Sequence, residues 1–345
     1  MANEILPPQR IGFIGLGNMG APMARRLAAA GYRLVVADAA NGAVERFRAN
    51  VACDAPATLP EIGAACRIII TMLPDGHAVR KVLLGDAGVV AGLTASAGAA
   101  AASTAAARTA AASTAGAVGS AGAAGAPGAI VIDMTSASPV GTRALGAELA
   151  ALGITLLDAP VSGGVSRAAE GKLAIMAGGD ATVVARCQPI LEALGQVFPT
   201  GAPGSGHAMK ALNNFLSAIN LAAAGEAMLA GERFGLDPAL MIRIFNASTG
   251  RNTGTDHKYP NFVLPRTFNS GFALGLMAKD LRLALELAQN TGAPTDLLQA
   301  CVDMWSHAEG QLGGRVDNTE IVKYLESRMT AAGAQPANTP KSKGT

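Results

Sequence analysis

A glycine-rich hexapeptide near the start of the chain has the spacing of a loop that binds a dinucleotide pyrophosphate: Gly15-Leu16-Gly17-Asn18-Met19-Gly20. In such a loop the first glycine permits a tight turn and the second lets the backbone approach the phosphates. The third lets the following helix pack closely on the preceding strand. The N-terminus of that helix adds N–H donors and partial positive charge. The hexapeptide alone is weak evidence, because a glycine turn without a nucleotide has the same pattern.

A carboxylate lies where the same motif requires one. Asp38 ends a second apolar run, Leu34-Val35-Val36-Ala37, and follows the glycines by about 20 residues, the spacing of a carboxylate that holds ribose hydroxyls. A carboxylate at this place repels a 2′-phosphate, and Ala39-Ala40-Asn41 supplies no cation to neutralise one. The sequence therefore predicts NAD as the cofactor in preference to NADP.

The composition excludes several other classes of protein. Basic and acidic residues number 27 and 25 among 345, so no strong positive field exists for nucleic acid. The sequence has no run of about 20 strongly apolar residues, so no membrane span is predicted. The four histidines lack the paired spacing of a zinc site, and no metal is expected. The four cysteines are widely separated, which favours a reducing, cytoplasmic location.

The elements that position these motifs are predicted from apolar runs that alternate with helical patterns, which is typical of a parallel sheet covered on both faces. The predicted strands are 11–16, 34–38, 68–73 and 130–133, with 155–158 and 173–177 as further candidates. A helix is predicted from Met19 to Ala30. After Pro203 only helices are predicted, over 207–234, 238–247, 272–291 and 294–312.

The sequence thus predicts an α/β protein with an N-terminal Rossmann-type dinucleotide-binding domain over 10–202 and an all-helical domain over 203–329. Residues 330–345 are interpreted as a disordered tail. The stretch 94–128 consists mostly of Ala, Gly, Ser and Thr. Because it offers no apolar stripe to bury, we interpret it as a disordered surface insertion. A lid or a partner-binding arm is the alternative.

Four motifs occur in order along the chain: GFIGLGNMGAPMA at 12–24, DAPVSGG at 158–164, GSGHAMKALNN at 204–214 and MAKDL at 277–281. Together they resemble the β-hydroxyacid dehydrogenases, a family that includes 3-hydroxyisobutyrate dehydrogenase and tartronate semialdehyde reductase and, more distantly, 6-phosphogluconate dehydrogenase. In that order they resemble the family's N-terminal signature, its substrate-binding turn, its catalytic helix start and its late Lys-Asp pair. The match spans about 10–326 apart from the alanine-rich stretch, and it implies a Rossmann domain followed by a helical domain.

The resemblance implies an oxidoreductase that moves a hydride from a small β-hydroxyacid, most like 3-hydroxyisobutyrate, to NAD and forms a semialdehyde. Lys210 would be the general acid and base. Asn214, one helical turn further on the same face, would bind the substrate hydroxyl or orient the lysine. His207 is the alternative base, although it more readily serves to begin the helix. A lone helix lysine without this context is usually a solvated charge.

The resemblance also implies the binding residues. The hydroxyl and bare amides of Ser162, Gly163 and Gly164 would bind the substrate carboxylate, unless they form an ordinary glycine turn. Ser136 would contact nicotinamide or substrate, or alternatively cap the next helix. The remaining expected contacts are Leu73, Pro74 and Lys279 with the cofactor, Asp280 with the substrate, and Arg251 as a weaker candidate for the substrate carboxylate. A solvated Lys279-Asp280 pair is the alternative for those two residues.

Two other functions stay open at this point. Tartronate semialdehyde (2-hydroxy-3-oxopropionate) reduction is the same chemistry run backwards, and a noncatalytic nucleotide-binding scaffold would come from another functional class. Lys210 argues against imine reduction, because the imine-reductase relatives replace it. The predicted helix 207–234 is apolar on most sides, which favours a homodimer or homotetramer. An intradomain core helix is the alternative.

Overall fold

The computed structural model describes residues 4–95 and 128–332, which divide into two compact units between Lys210 and Ala211. Most of the alanine-rich stretch, residues 96–127, lies outside the described residues, as do 333–345 of the predicted tail. Residues 94–95 lie in a helical segment, and residues 330–332 belong to the last helix.

In the described part of the first unit, eight strands form one sheet in the order β2-β1-β3-β4-β5-β7-β6, with β8 added beside β7. Their bounds are β1 Arg10–Ile14, β2 Arg33–Ala37, β3 Ile68–Thr71, β4 Ala129–Asp133, β5 Ile154–Asp158, β6 Val161–Ser162, β7 Leu173–Gly178 and β8 Gly195–Gly201. The first five are mutually parallel. β7 is antiparallel to β5 and β6 and parallel to β8.

The apolar strands are buried on both faces, because their alternate side chains enter two separate cores. Ile68 and Ile70 of β3 pack in one core, whereas Ile69 between them packs in the other. β4 divides its side chains in the same way. Helices cover both faces and complete the two cores. They are α1 Gly20–Ala29, α2 Ala43–Arg48, α3 Leu59–Ala65, α4 Gly76–Leu84, α5 over residues 89–95, α6 Pro139–Ala151, α7 Gly164–Glu170 and α8 Ala181–Glu192.

The parallel register places the ends of four strands in one row. Ile14 lies opposite Thr71, Thr71 opposite Asp133, and Asp133 opposite Asp158. β1 lies between β2 and β3, so the strand order reverses at β1. Open α/β sheets bind ligands at the carboxyl ends of the strands beside such a reversal. The loops after these strands therefore share one edge.

The second unit is helical. α9, Ser205–Phe234, begins in the first unit and continues into the second. The elements that follow are α10 Pro238–Ala247, a π-helical segment Gly254–Val263, α11 Leu274–Thr291, α12 Asp296–Leu312, a 3-10 turn Asn318–Glu320 and α13 Ile321–Ala332. Its core contains Trp305, Tyr259 and Leu281. In the described part of the chain, none of the helices combines the length and apolar character needed to cross a membrane.

The predicted fold class is confirmed, with a Rossmann-type sheet first and helices after it. Three strands end earlier than predicted: β1 ends at Ile14, β2 at Ala37 and β3 at Thr71. The chain turns directly after β1 because Gly15 has φ +103°. β6, β8 and α13 are absent from the prediction. β6 has only two residues and β8 contains Pro199, so neither has the apolar run on which the strand predictions rest.

Candidate active site

The glycine loop after β1 has the geometry of a phosphate cradle. A Cβ on Gly15 would lie 2.2 Å from the Met72 carbonyl oxygen, and one on Gly20 would lie 1.8 Å from that of Gly15. A Cβ on Gly17 would meet nothing within 4 Å. Two glycines are thus required by the fold, whereas Gly17 faces open space. The second position of a dinucleotide loop has this property, because ligand phosphates approach the backbone there.

Asp38 connects the end of β2 to that loop. Its Oδ2 accepts a hydrogen bond from the Leu16 N–H at 2.6 Å, and its Oδ1 accepts one from the Ala40 N–H at 2.6 Å. A carboxylate has about four acceptor positions, so ribose hydroxyls still find sites on it. The carboxylate also lines a cavity of about 460 Å³, together with Glu45 and Arg48 of α2. These observations fit the adenosine half of a dinucleotide.

Arg48 is a residue that sequence reasoning missed. It lies ten positions beyond Asp38 and is exposed, so its sequence position gives no signal that separates it from an ordinary surface arginine. The fold brings it to the same cavity as Asp38. The cavity therefore contains a cation, although Ala39-Ala40-Asn41 supplies none.

A buried hydrogen-bond network joins the loops after β3 and β4. Asp133 Oδ1 accepts from the Thr71 hydroxyl at 2.8 Å and from the Thr135 N–H at 3.1 Å. The Thr135 hydroxyl accepts from the Leu73 N–H at 3.0 Å. The segments carrying Leu73 and Ser136 are therefore held side by side at the edge where the glycine loop lies. Ser136 itself is half-buried.

Asp158 fixes the first turn of α9. Its fully buried carboxylate accepts hydrogen bonds from the Gly204 N–H at 2.7 Å and the His207 N–H at 2.9 Å. Burial raises the pKa of Asp158, while the nearby His207 and these N–H groups oppose the rise. The carboxylate thus caps the helix that carries Lys210, three residues after His207. Lys210 is only 8% exposed, far less than a solvated helix lysine.

Asn214 and the late Lys-Asp pair meet in the second unit. Asp280, 2% exposed, accepts a hydrogen bond at Oδ2 from the Asn214 Nδ2 at 2.5 Å. The Lys279 Nζ lies 3.1 Å from Asp280 Oδ1. Asp280 is therefore not part of an isolated solvated pair, because it orients the Asn214 amide. α9 carries Asn214 one turn after Lys210.

The remaining predicted residues are less closely tied to these contacts. Ser162 forms the end of the two-residue strand β6, and Gly163 and Gly164 have φ +139° and +73°. A Cβ on Gly164 would meet nothing within 4 Å, so its backbone is open to approach. Arg251 already pairs with Asp256 at 2.8 Å on the surface, which weakens it as a substrate ligand.

Two family models cover nearly all of the described chain. "NAD binding domain of 6-phosphogluconate dehydrogenase" matches residues 10–123 and 111–202, and "NAD-binding of NADP-dependent 3-hydroxyisobutyrate dehydrogenase" matches residues 204–325. The 3-hydroxyisobutyrate dehydrogenase of Pseudomonas aeruginosa is 35% identical over 87% of this chain and 92% of the relative. The chain belongs to the β-hydroxyacid dehydrogenase family.

Other members of the β-hydroxyacid dehydrogenase family agree with this assignment. The 2-hydroxy-3-oxopropionate reductase of Escherichia coli is 32% identical over 92% of this chain and 97% of the relative. A solved structure of Mycobacterium tuberculosis 3-hydroxyisobutyrate dehydrogenase with L-serine has a TM-score of 0.76 at 28% identity, covering 93% of this chain and 99% of that one. As a family member, the protein is an NAD-dependent oxidoreductase that acts on a CH–OH group.

The other reactive side chains do not suggest different chemistry. Burial raises the pKa of the Cys66, Cys187 and Cys301 thiols to about 12, so these three thiols are protonated at neutral pH. Within residues 4–95 and 128–332, no group of three or more His, Cys, Asp or Glu side chains is arranged to hold a metal ion. Lys210 is the candidate on which the family motif and the burial observed in the fold agree.

Proposed function

We propose that the protein oxidises a small β-hydroxyacid similar to 3-hydroxyisobutyrate to its semialdehyde, with Lys210 as the general acid and base. The observation that carries the proposal is the burial of Lys210 at 8% exposure in the first turns of a helix capped by Asp158. Burying a lysine is unfavourable unless the surroundings compensate for it. A family motif and a buried lysine thus coincide at one side chain.

The dinucleotide would be held by the glycine loop and by Asp38, with Leu73 and Pro74 along the next strand end and Lys279 as a further contact. Bound NAD supplies the hydride acceptor. The protein supplies the proton pathway: in oxidation the Lys210 Nζ receives the proton of the substrate hydroxyl, and in reduction it returns the proton to the carbonyl oxygen. For oxidation, Lys210 must therefore be a neutral amine before the step, and it becomes an ammonium when it accepts the proton.

Asn214 would position the substrate oxygen next to Lys210. One of its Nδ2 protons is donated to Asp280, which fixes the orientation of the amide and leaves the second proton for the substrate hydroxyl. Lys210 and Asn214 are four residues apart in a continuous helix, so their side chains project from one face. Asp280 thereby supports the substrate through Asn214.

The substrate carboxylate would bind to Ser162, Gly163 and Gly164, with Ser136 as a neighbouring contact. The two glycines have positive φ, and neither amide is shielded by a side chain of its own. Consecutive N–H groups in such a conformation form a concave site for an anion. A hydroxyacid therefore fits better than a neutral alcohol.

Reduction of tartronate semialdehyde is the second candidate. The Escherichia coli relative named for 2-hydroxy-3-oxopropionate reduction matches at a similar identity to the dehydrogenase from Pseudomonas, so the family motifs do not separate the two substrates. A noncatalytic scaffold is disfavoured, because Lys210, Asn214 and Ser162 are all present.

We also propose that the protein acts as a homodimer or homotetramer in the cytoplasm. Leu212 and Leu216 of α9 are 40% and 58% exposed within the single chain, and Phe234 at the end of α9 is 86% exposed. Large apolar side chains grouped on one helix favour contact with another chain. The compartment remains a prediction from the cysteine pattern.

The test is a panel of small hydroxyacids with NAD or NADP, and of semialdehydes with NADH or NADPH, in which the absorbance of the reduced cofactor is followed. We expect turnover with 3-hydroxyisobutyrate-like substrates and a higher kcat/KM with NAD. Lys210→Ala should lower kcat by about 10²–10⁴-fold while NADH still binds. Lys81→Ala on α4 is the matched control, because Lys81 is an exposed helix lysine. Near-normal turnover by Lys210→Ala would remove the lysine from the mechanism.

A further inference from the structure

We propose that His207 is a positioning residue for the proton transfer assigned to Lys210: its buried ring locks the first turn of α9 to the loop that follows β4. The inference rests on the function proposed above and adds a residue to it. His207 is neither base nor ligand here. Its ring is completely buried, and both ring nitrogens contact protein groups.

The hydrogen bonds of the ring define its orientation. Nε2 lies 2.8 Å from the Thr135 carbonyl oxygen, and Nδ1 lies 2.7 Å from the Thr142 hydroxyl. A carbonyl oxygen only accepts hydrogen bonds, so Nε2 must carry a proton and donate it there. Thr142 belongs to α6, and Thr135 lies in the loop after β4. One side chain therefore joins three elements of the first unit.

The ring bond lies directly between two segments that carry predicted functional residues. The carbonyl that it meets belongs to Thr135, whose next residue is Ser136, and the Thr135 hydroxyl accepts from the Leu73 N–H. On the other side, Lys210 follows His207 by three residues in α9. A displacement of the helix start relative to this loop would therefore move the Lys210 amine relative to Ser136.

Asp158 alone does not prevent such a displacement. It holds the N–H groups of Gly204 and His207, so it fixes the helix start at one carboxylate. The Ser205 hydroxyl, 2.8 Å from the Thr200 hydroxyl, adds a contact between the first turn and β8. Neither of these contacts reaches the loop after β4. The His207 ring supplies that connection, and it therefore fixes the first turn, and with it Lys210, relative to the segment that carries Ser136.

A purely apolar packing role does not account for this arrangement. An apolar side chain of similar size would avoid the cost of burying polar atoms. The ring instead meets an acceptor and a hydroxyl, with Asp133 Oδ2 also 3.8 Å from Nε2. Fully satisfied buried networks of this kind restrict a site to one geometry.

The experiment compares His207→Gln and Thr142→Val with the parent enzyme. Because a misplacement of about 1 Å at a reacting group costs up to about 100-fold in rate, we expect kcat to fall about 10–100-fold in His207→Gln and about 10-fold in Thr142→Val. KM for the hydroxyacid and Kd for NADH should change by less than about threefold, because the binding groups are retained. Thr142→Ser keeps the hydroxyl and should recover most of the parent kcat.

Two comparisons separate positioning from a general loss of structure. In a Lys210→Ala background, assayed at high enzyme concentration, His207→Gln should cause little further loss, since the group that it positions is gone. His307→Gln on α12 is the matched control, because that histidine is exposed. Thermal denaturation of each variant identifies any that fail to fold. If His207→Gln fails to fold, the kcat of Thr142→Val decides whether the His207 ring positions Lys210.

Some outcomes would overturn the inference without affecting the proposed function. Parent-like kcat in both His207→Gln and Thr142→Val would do so, and so would a loss that appears in KM or NADH binding instead of kcat. An equal loss in the Lys210→Ala background would assign His207 a role independent of the lysine. A parent enzyme with no turnover on any hydroxyacid would instead contradict the proposed function itself.

Discussion

A methyl group at position 17 should weaken NAD binding without destabilising the protein. The structure leaves open space within 4 Å of a Cβ on Gly17, and the residue has no positive φ. Alanine at such a position stabilises a fold by about 0.4–1 kcal/mol, because it restricts the unfolded chain. The same methyl group would keep the pyrophosphate oxygens away from the loop N–H groups. We expect Kd for NAD to rise at least about tenfold, which corresponds to about 1.4 kcal/mol.

Alanine at Gly20, the third glycine of the loop, should instead destabilise the protein. A Cβ on Gly20 would lie 1.8 Å from the Gly15 carbonyl oxygen, whereas real Cβ contacts essentially never fall below 3.0 Å. The helix or the loop must therefore move by more than an ångström. Overpacking of this kind costs about 1–3 kcal/mol. Gly20→Ala should lower Tm by about 5 °C, and it should lose NAD affinity as a consequence of the distorted loop.

Thermal denaturation and NADH titration by fluorescence measure the two quantities separately. Gly310→Ala in α12 is the control, because Gly310 is also helical and open on all sides within 4 Å. Gly310→Ala should raise the free energy of unfolding by roughly 0.5–1 kcal/mol and leave NADH binding unchanged. If Gly17→Ala binds NADH as tightly as the parent, the loop does not contact the pyrophosphate and its assigned role is wrong. A Gly20→Ala variant as stable as the parent would show that the packing argument is wrong.

Three further outcomes are expected. Asp38→Ala should raise kcat/KM for NADP relative to NAD at least about tenfold, since a repelling carboxylate is lost while Arg48 stays in the same cavity. Adding Arg48→Ala should reverse that gain, and an unchanged ratio would exclude the arginine. Burial acts to raise the pKa of Asp317, but hydrogen bonds such as that from the Thr319 hydroxyl hold it below the usual value, so the carboxylate stabilises the fold at neutral pH. Asp317→Asn should therefore lose stability at pH 7 by chemical denaturation, and the difference should shrink as the pH falls below about 4. Leu216→Glu should reduce the oligomer to smaller species in light scattering, whereas an unchanged mass would locate the subunit contact elsewhere.

The parallel strands could be predicted because each contains a continuous apolar run. Ile68-Ile69-Ile70 has no polar face, and in the structure its alternate side chains enter opposite cores. The strands that were missed lack this feature. β6 is two residues long, and β8 contains Pro199 and mostly half-buried or exposed side chains. Such strands are ordered by the pairing with β7 and not by their own sequence.

The candidate site was predictable as a set of residues but not as a set of contacts. The glycine loop is predicted from its own spacing, whereas Lys210 and Asn214 are predicted from the family resemblance, and their roles stay predictions. The Asp280 contact with Asn214 joins residues 66 positions apart, and no periodicity reveals it. Arg48 illustrates the same limit: its position in the cavity depends on how α2 returns to the sheet.

Buried polar side chains at and near the ends of β3, β4 and β5 fix the geometry of the sheet edge where we propose that catalysis takes place. Thr71, Asp133, Thr135, Asp158 and His207 are each at most 2% exposed. Burying these polar groups has a desolvation cost that apolar residues at the same places would not have. Each member instead bonds to another strand end or to α9, which fixes the distance between loops that otherwise only share an edge. Mutations inside this network should therefore lower kcat more than they raise substrate KM, a pattern that separates it from the residues that touch substrate.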